Sequence, residues 1–155
     1  DMGMYYRRLD YSKMVKGRHP IAAYEFLGPK LEGKDVILID DMISSGKSIL
    51  EIASLLKKRG AGKIFICTTF GLFTEGMEKF DEAYQNGIFD KLLTTNLVYQ
   101  TPELLSKPYY ITCDMSKYIA LIIDTLNHDM SVSHLLNPAD RIKRCVSNYM
   151  AQYEK

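Results

Sequence analysis

Along the chain, apolar and polar positions alternate between strand-like and helix-like spacing. Val36-Ile37-Leu38-Ile39 is a continuous apolar run with Asp35 before it and Asp40 after it. Such a run reads as a buried parallel strand. The period then changes. Ile49, Ile52, Ala53 and Leu56 recur at i, i+3, i+4 and i+7, which is one face of a helix. That helix is predicted to begin near Lys47 and to stop at Lys57-Lys58-Arg59-Gly60, with cations in its last turn and a glycine just beyond. Lys63 to Thr69 returns to strand spacing, so this stretch is a βαβ unit with an expected right-handed crossover.

The alternation continues toward the C-terminus. Met77, Phe80, Ala83 and Tyr84 mark a helix face closed by Gly87, and Lys91 to Thr95 is a strand. Pro102 and Pro108 bracket a connector, and Tyr109 to Cys113 is a further strand. Asp114 is placed to N-cap a helix reaching about Leu126, with Met115, Ile119, Ile122, Ile123 and Leu126 buried. At the other end, residues 2–6 and Ile21 to Leu27 are strand candidates. Between them Arg7, Arg8, Lys13, Lys16 and Arg18 make a mobile basic loop the expectation. Ser131 to Pro138 reads as an ordered extension. Residues 139–155 can form an amphipathic helix with Ile142, Val146, Tyr149 and Met150 on one face, free to pack on the domain or on a partner subunit. The predicted class is therefore α/β, a mainly parallel sheet flanked by helices. Residues 1–138 form one domain, and residues 139–155 a helical extension.

Composition narrows the functional classes. A chain of 155 residues suits a single domain with a real core. A formal net charge of +1 gives no sign of a general nucleic-acid or membrane surface. No apolar run approaches the ~18 residues of a spanning helix. Asp1-Met2-Gly3-Met4 has neither a basic n-region nor an initiator methionine at position 1, so the expectation is a piece of a longer protein with no signal peptide. Cys67, Cys113 and Cys145 are widely spaced and are expected as reduced thiols of a cytoplasmic protein. His19, His128 and His134 stand apart from one another, and no metal-ligand spacing is present, so no metal ligand and no catalytic histidine is assigned.

The candidate chemistry sits where the first βα turn is predicted, in Asp40-Asp41-Met42-Ile43-Ser44-Ser45-Gly46-Lys47-Ser48. Open α/β sheets bind ligands at this edge, and a helix N-terminus offers N–H groups and partial positive charge to a phosphate. The carboxylates of Asp40 and Asp41 suit a neighbouring polyhydroxyl group or a Mg²⁺ ion. Together these features fit a phosphorylated sugar. An ordinary βα turn with a serine N-cap is the other reading of the same residues. Gly46-Lys47-Ser48 also evokes a triphosphate-binding Walker loop, but that motif needs a glycine at position 41, where this chain has Asp41. Thr68, Thr69, Gly71, Thr74 and Gly76 mark a second loop on the same sheet edge that could touch a ligand.

Val36 to Ser48 resembles the phosphoribosyl-diphosphate-binding signature of type I phosphoribosyltransferase folds. More of the chain, from about residue 1 to Pro138, resembles the ribose-phosphate pyrophosphokinases (phosphoribosyl diphosphate synthases). The likeness includes Tyr6-Arg7-Arg8, Glu32-Gly33-Lys34, Lys58-Arg59-Gly60-Ala61, Thr94-Thr95-Asn96 and Ser131-Val132-Ser133-His134-Leu135-Leu136. The resemblance implies diphosphate transfer from ATP, with Mg²⁺, to ribose 5-phosphate, giving 5-phosphoribosyl 1-diphosphate and AMP. It implies that Asp40 and Asp41 hold the ribose hydroxyls and that Ser44, Ser45, Gly46, Lys47 and Ser48 surround the 5-phosphate. Arg7 and Arg8 would be the catalytic basic pair folding over ATP.

The family usually carries three consecutive cations in that segment; here Tyr6 and Leu9 flank two. The family is also about twice this length. The resemblance therefore implies a C-terminal half, with ATP bound mostly by an N-terminal half, and a cytoplasmic homo-oligomer. Two rival functions remain open at this point: a non-catalytic synthase-like regulatory subunit, favoured by Leu9, and a phosphoribosyltransferase acting on a nucleobase.

Overall fold

In the computed structural model, residues 4–10, 21–28 and 30–153 are described. The chain divides into two compact units, Asp1–Cys113 and Asp114–Lys155.

The first unit begins with a hairpin. Strand β1 (Met4–Asp10) pairs antiparallel with β2 (Ile21–Leu27) in a two-stranded sheet of its own, with Arg7 opposite Tyr24 and Arg8 opposite Ala23. The basic pair therefore lies within a strand, where the sequence suggested a loop. The aromatic residues before it extend the strand further than their short run indicated. The remainder of the expected loop, residues 11–20, lies outside the described residues.

A four-stranded sheet follows, made of β3 (Val36–Ile43), β4 (Ile64–Gly71), β5 (Lys91–Thr95) and β6 (Tyr110–Cys113), all parallel and in sequence order. Helices α1 (Lys47–Lys58), α2 (Glu78–Gln85) and the short α3 (Pro102–Leu105) fill the connections. Sequential parallel strands joined by right-handed crossovers put all three helices on one face, and the core agrees. Ile64, Ile66 and Leu92 from the sheet meet Ile49, Ala53 and Leu56 of α1, Phe80 of α2 and Leu104 of α3.

This geometry corrects the expectation that β3 is buried. β3 has β4 as its partner on one side and stands at the edge of the four-stranded sheet. Val36 and Leu38 face the core, but Ile39 on the other face is 83% exposed. An apolar run reports that a strand can be buried, not that both of its faces are covered. Period-two arithmetic would put Ile43 with Ile37 and Ile39, yet Ile43 is 2% exposed and belongs to the core. The alternation thus breaks across the two aspartates.

The end of α1 follows its sequence signals. Gly60 adopts φ +85°, its N–H donates to the Lys57 carbonyl at 2.9 Å, and Ala61 N–H donates to the Leu56 carbonyl at 3.2 Å. This is a Schellman closure, which needs a residue that tolerates a left-handed backbone.

The second unit holds α4 (Ser116–Asn127), α5 (Ser133–Leu136) and α6 (Ala139–Tyr153). Asp114 accepts from Ser116 N–H at 2.9 Å, so it caps the entry to α4 from one position before the N-cap residue Met115. The expected burial of the α4 stripe is not what forms. Met115 and Ile122 are half-buried, Ile119, Ile123 and Leu126 are exposed, and Thr125 is the buried residue of the helix. Periodicity marks an apolar face without saying whether another element covers it. The joint between helices is instead polar: Tyr118 Oη donates to the Leu135 carbonyl at 3.0 Å, and Arg141 donates to the same carbonyl at 2.7 Å while lying over the Tyr118 ring. Ile142, Val146, Tyr149 and Met150 of α6 are exposed.

Candidate functional site

The β3–α1 connection is built around a single glycine. Gly46 is the N-cap of α1 with φ +79°, and no side chain caps the helix. A serine cap, the ordinary reading of this turn, does not form; Ser45 Oγ accepts only a long 3.4 Å contact from Lys47 N–H. The first-turn N–H groups of α1 are left to be satisfied from outside the helix. A Cβ at Gly46 would stand 2.3 Å from Phe80 Cζ, so the loop rests directly on the buried Phe80 ring. Glycine is needed here twice, for its backbone conformation and for its lack of a side chain.

The structure brings Asp40, Asp41, Ser44, Ser45, Gly46, Lys47 and Ser48 into one continuous turn at the carboxyl end of β3. The aspartates lie in the last part of the strand, and both are exposed. Asp40 Oδ1 accepts from Asp41 N–H at 2.9 Å, which fixes one carboxylate beside its neighbour. Ser44, Lys47 and Ser48 are exposed, Ser45 half-exposed, and Gly46 buried against Phe80. Two carboxylates that accept hydrogen bonds, then helix-terminal amides, hydroxyls and an ammonium, give adjacent places for hydroxyls and for an anion. Arg7 and Arg8 are on the β1–β2 hairpin, a separate sheet.

The loop after β4 is tied to this turn. Leu72 N–H donates to the Ile43 carbonyl at 2.8 Å, and Thr74 N–H donates to the Ser44 carbonyl at 3.0 Å. Of the hydroxyl residues anticipated in this second loop, Thr68 and Thr69 lie within β4, and Thr68 sits opposite Asp40. Thr68 Oγ1 is buried with no hydrogen-bond partner. Thr69 is engaged through its carbonyl, which accepts from Thr95 Oγ1 at 2.6 Å. A polar cluster that the sequence did not signal lies on β5, β6 and the connection after β5. Thr94 Oγ1 and Tyr110 Oη are 2.5 Å apart, and Gln100 joins Tyr110 Oη at 2.6 Å and Thr112 Oγ1 at 3.1 Å. Only strand register could have found it.

Among the described residues no group of three or more His, Cys, Asp and Glu side chains could hold a metal ion. Asp40 and Asp41 therefore fit a divalent cation only as two carboxylates beside oxygens that a substrate and water supply, the usual arrangement for Mg²⁺ on phosphates. Among the same residues no helix is long and apolar enough to cross a membrane. Burial, and then the charge of Cys113, push the Cys67 thiol pKa up.

The fold is that of an α/β protein with a parallel sheet and a carboxylate- and hydroxyl-bearing turn at its carboxyl edge, where open α/β sheets bind ligands. Residues 12–137 match the model of the phosphoribosyl synthetase-associated domain, and the chain belongs to that family. A ribose-phosphate pyrophosphokinase of Vibrio parahaemolyticus is 26% identical over 107 residues, 69% of this chain and 33% of that protein. One of Thermococcus kodakarensis is 36% identical over 93 residues, 58% of this chain and 31% of that protein. The chain thus spans about a third of the length of the curated relatives it matches. The crystal structure of phosphoribosylpyrophosphate synthetase from Mycobacterium smegmatis shares the fold, with a TM-score of 0.60 and 22% identity across 69% of this chain and 34% of that one.

Proposed function

We propose that this chain supplies the ribose-5-phosphate site of a ribose-phosphate pyrophosphokinase. The observation that carries the reading is the β3–α1 turn, where an exposed carboxylate pair adjoins a helix N-terminus that no side chain caps. Relatives named for this activity support it. The reaction takes ribose 5-phosphate and ATP to 5-phosphoribosyl 1-diphosphate and AMP. The anomeric oxygen attacks the β-phosphorus and gives up its proton to solvent, and the bond from that phosphorus to the α-phosphate oxygen breaks to release AMP. Asp40 and Asp41 accept hydrogen bonds from the ribose hydroxyls and so orient the attacking oxygen. The N–H groups of α1, the hydroxyls of Ser44, Ser45 and Ser48, and Lys47 hold the 5-phosphate. Arg7 and Arg8 supply positive charge to the transferring diphosphoryl group. Mg²⁺ bound with ATP would add neutralisation of the phosphate charge. Such a transfer depends on positioning and charge stabilisation. The longer protein would provide most of the ATP contacts and assemble as a homo-oligomer in the cytoplasm.

A second reading, a synthase-like subunit that binds sugar phosphate without catalysing transfer, is favoured by the basic segment, where Tyr6 and Leu9 flank two cations and the related segment carries three. Calorimetric titration of the chain with ribose 5-phosphate in the presence of Mg²⁺, beside Asp41→Ala, tests the shared site. Saturable binding that the variant loses supports it, and no binding at millimolar ligand overturns it. ATP-dependent release of AMP by the full-length protein separates the enzyme from the binding subunit. Release of diphosphate from 5-phosphoribosyl 1-diphosphate on adding a nucleobase would point instead to a phosphoribosyltransferase.

A further inference from the structure

We infer that the loop after β4 is the second wall of the sugar-phosphate site and that Thr74 is a positioning residue within it, acting through Ser44. Thr74 touches Ser44 twice. Its N–H donates to the Ser44 carbonyl at 3.0 Å, and its Oγ1 lies 3.3 Å from Ser44 Oγ. Thr74 and Ser44 are 30 positions apart in sequence, and both are exposed. The backbone between the two attachment points is constrained. Phe73 adopts φ +46°, a conformation an aromatic residue holds only when its surroundings impose it. Its ring packs edge-on against Phe80 with centroids 5.3 Å apart. Phe80 is also the ring beneath Gly46. One aromatic side chain thus supports both walls.

The hydroxyl pair adds direction. A hydroxyl carries one proton and two lone pairs. If Thr74 donates to Ser44, the Ser44 proton is free for an anion. Beside a phosphate, which only accepts, that polarity is the favoured one. Valine at position 74 keeps the shape and the backbone N–H but removes the donor, leaving the Ser44 side chain without its anchor. Serine restores the donor.

This role of Thr74 rests on the ribose-5-phosphate reading above. The test measures dissociation constants for ribose 5-phosphate by calorimetry on the 155-residue chain, with a melting temperature for each variant. Thr74→Val is expected to bind about fivefold more weakly, the effect of one neutral hydrogen bond. Thr74→Ser should return to within about twofold of the parent, and Thr74→Val should have no further effect in a Ser44→Ala background. Melting temperatures should stay together. Equal binding by Thr74→Val and the parent overturns the role of Thr74 and leaves the site reading standing. A fall in melting temperature with Thr74→Val that serine does not rescue assigns the residue to folding and also overturns it. Failure of the parent chain to bind overturns both.

Discussion

Gly46 and Phe80 occupy one volume: where a side chain at residue 46 would begin, the ring of Phe80 already lies, 2.3 Å from the ideal Cβ position. The β3–α1 turn is therefore part of the hydrophobic core on its inner side. Gly46→Ala must both place alanine at φ +79° and push aside a fully buried ring. A left-handed residue costs about 1–2 kcal/mol and overpacking about 1–3 kcal/mol, so a loss of roughly 2–5 kcal/mol is expected by denaturant titration. Phe80→Leu in the same chain should recover part of it, because only the ring clash is relieved. Additive losses in the double variant would refute the shared volume.

A second junction lies away from the site. Tyr109 Oη donates to Asp81 Oδ1 at 2.7 Å, and Lys107 Nζ meets Asp81 Oδ2 at 2.7 Å. Tyr109 is buried in the core, so its hydroxyl has no water to turn to. Tyr109→Phe is expected to destabilise the chain by about 1–2 kcal/mol, the cost of taking a partner from a carboxylate. Equilibrium unfolding measures it, and an unchanged midpoint would show that the bond contributes nothing net.

The same cluster sets a pH window. Burial acts on the Asp81 carboxyl in the raising direction, but the hydrogen bonds from Lys107 and Tyr109 and the lysine charge outweigh it, leaving its pKa below the ordinary 3.8. Its stabilisation is present above that value and is lost as pH falls through the lower folded value. Burial and the bond to Asp81 push the Tyr109 pKa far above its ordinary 10.0. That contribution is complete below pH 10 and is lost as pH rises beyond it. Melting temperature should therefore fall on both sides of a plateau between about pH 4 and pH 10. Asp81→Asn should flatten the acid limb; an acid limb that survives unchanged would assign it to other groups.

Thr68 offers the opposite sign. Its hydroxyl is buried without a partner, although its residue is only 6% exposed. Thr68→Val removes the unpaired oxygen and keeps the shape, so a gain of about 1 kcal/mol is expected in denaturant unfolding. A loss would mean that the hydroxyl is satisfied in solution.

The three thiols should separate by rate. Cys145 is exposed on α6, whereas Cys67 is half-buried with its pKa raised. Thiolate is the reactive form, so iodoacetamide followed by mass spectrometry should label Cys145 first and Cys67 later. Equal rates would show that β4 opens readily.

Much of the architecture was legible because local signals agreed with one another. The glycine and cations at the end of α1 predicted where the helix stops, and it closes there at Gly60. The strand–helix alternation predicted a parallel sheet, and β3 to β6 form one. The candidate site was legible as a cluster because Asp40 to Ser48 is continuous in sequence. Thr74 was visible only as one hydroxyl among several in a loop; its pairing with Ser44 depends on two loops meeting across strands β3 and β4.

By itself, the sequence determined where strands and helices run, which turn gathers carboxylates, hydroxyls and a glycine, and which family the chain resembles. These are properties of neighbours along the chain, expressed as spacing, backbone preference and side-chain chemistry. The tertiary structure decided that β3 is an edge strand with Ile39 in the open, that Ile119, Ile123 and Leu126 of α4 are exposed, that Arg7 and Arg8 lie in a hairpin, and that Phe80 lies under Gly46. Each of these depends on what covers or pairs with an element. Periodicity gives an apolar face its direction, but only packing between distant segments supplies its partner.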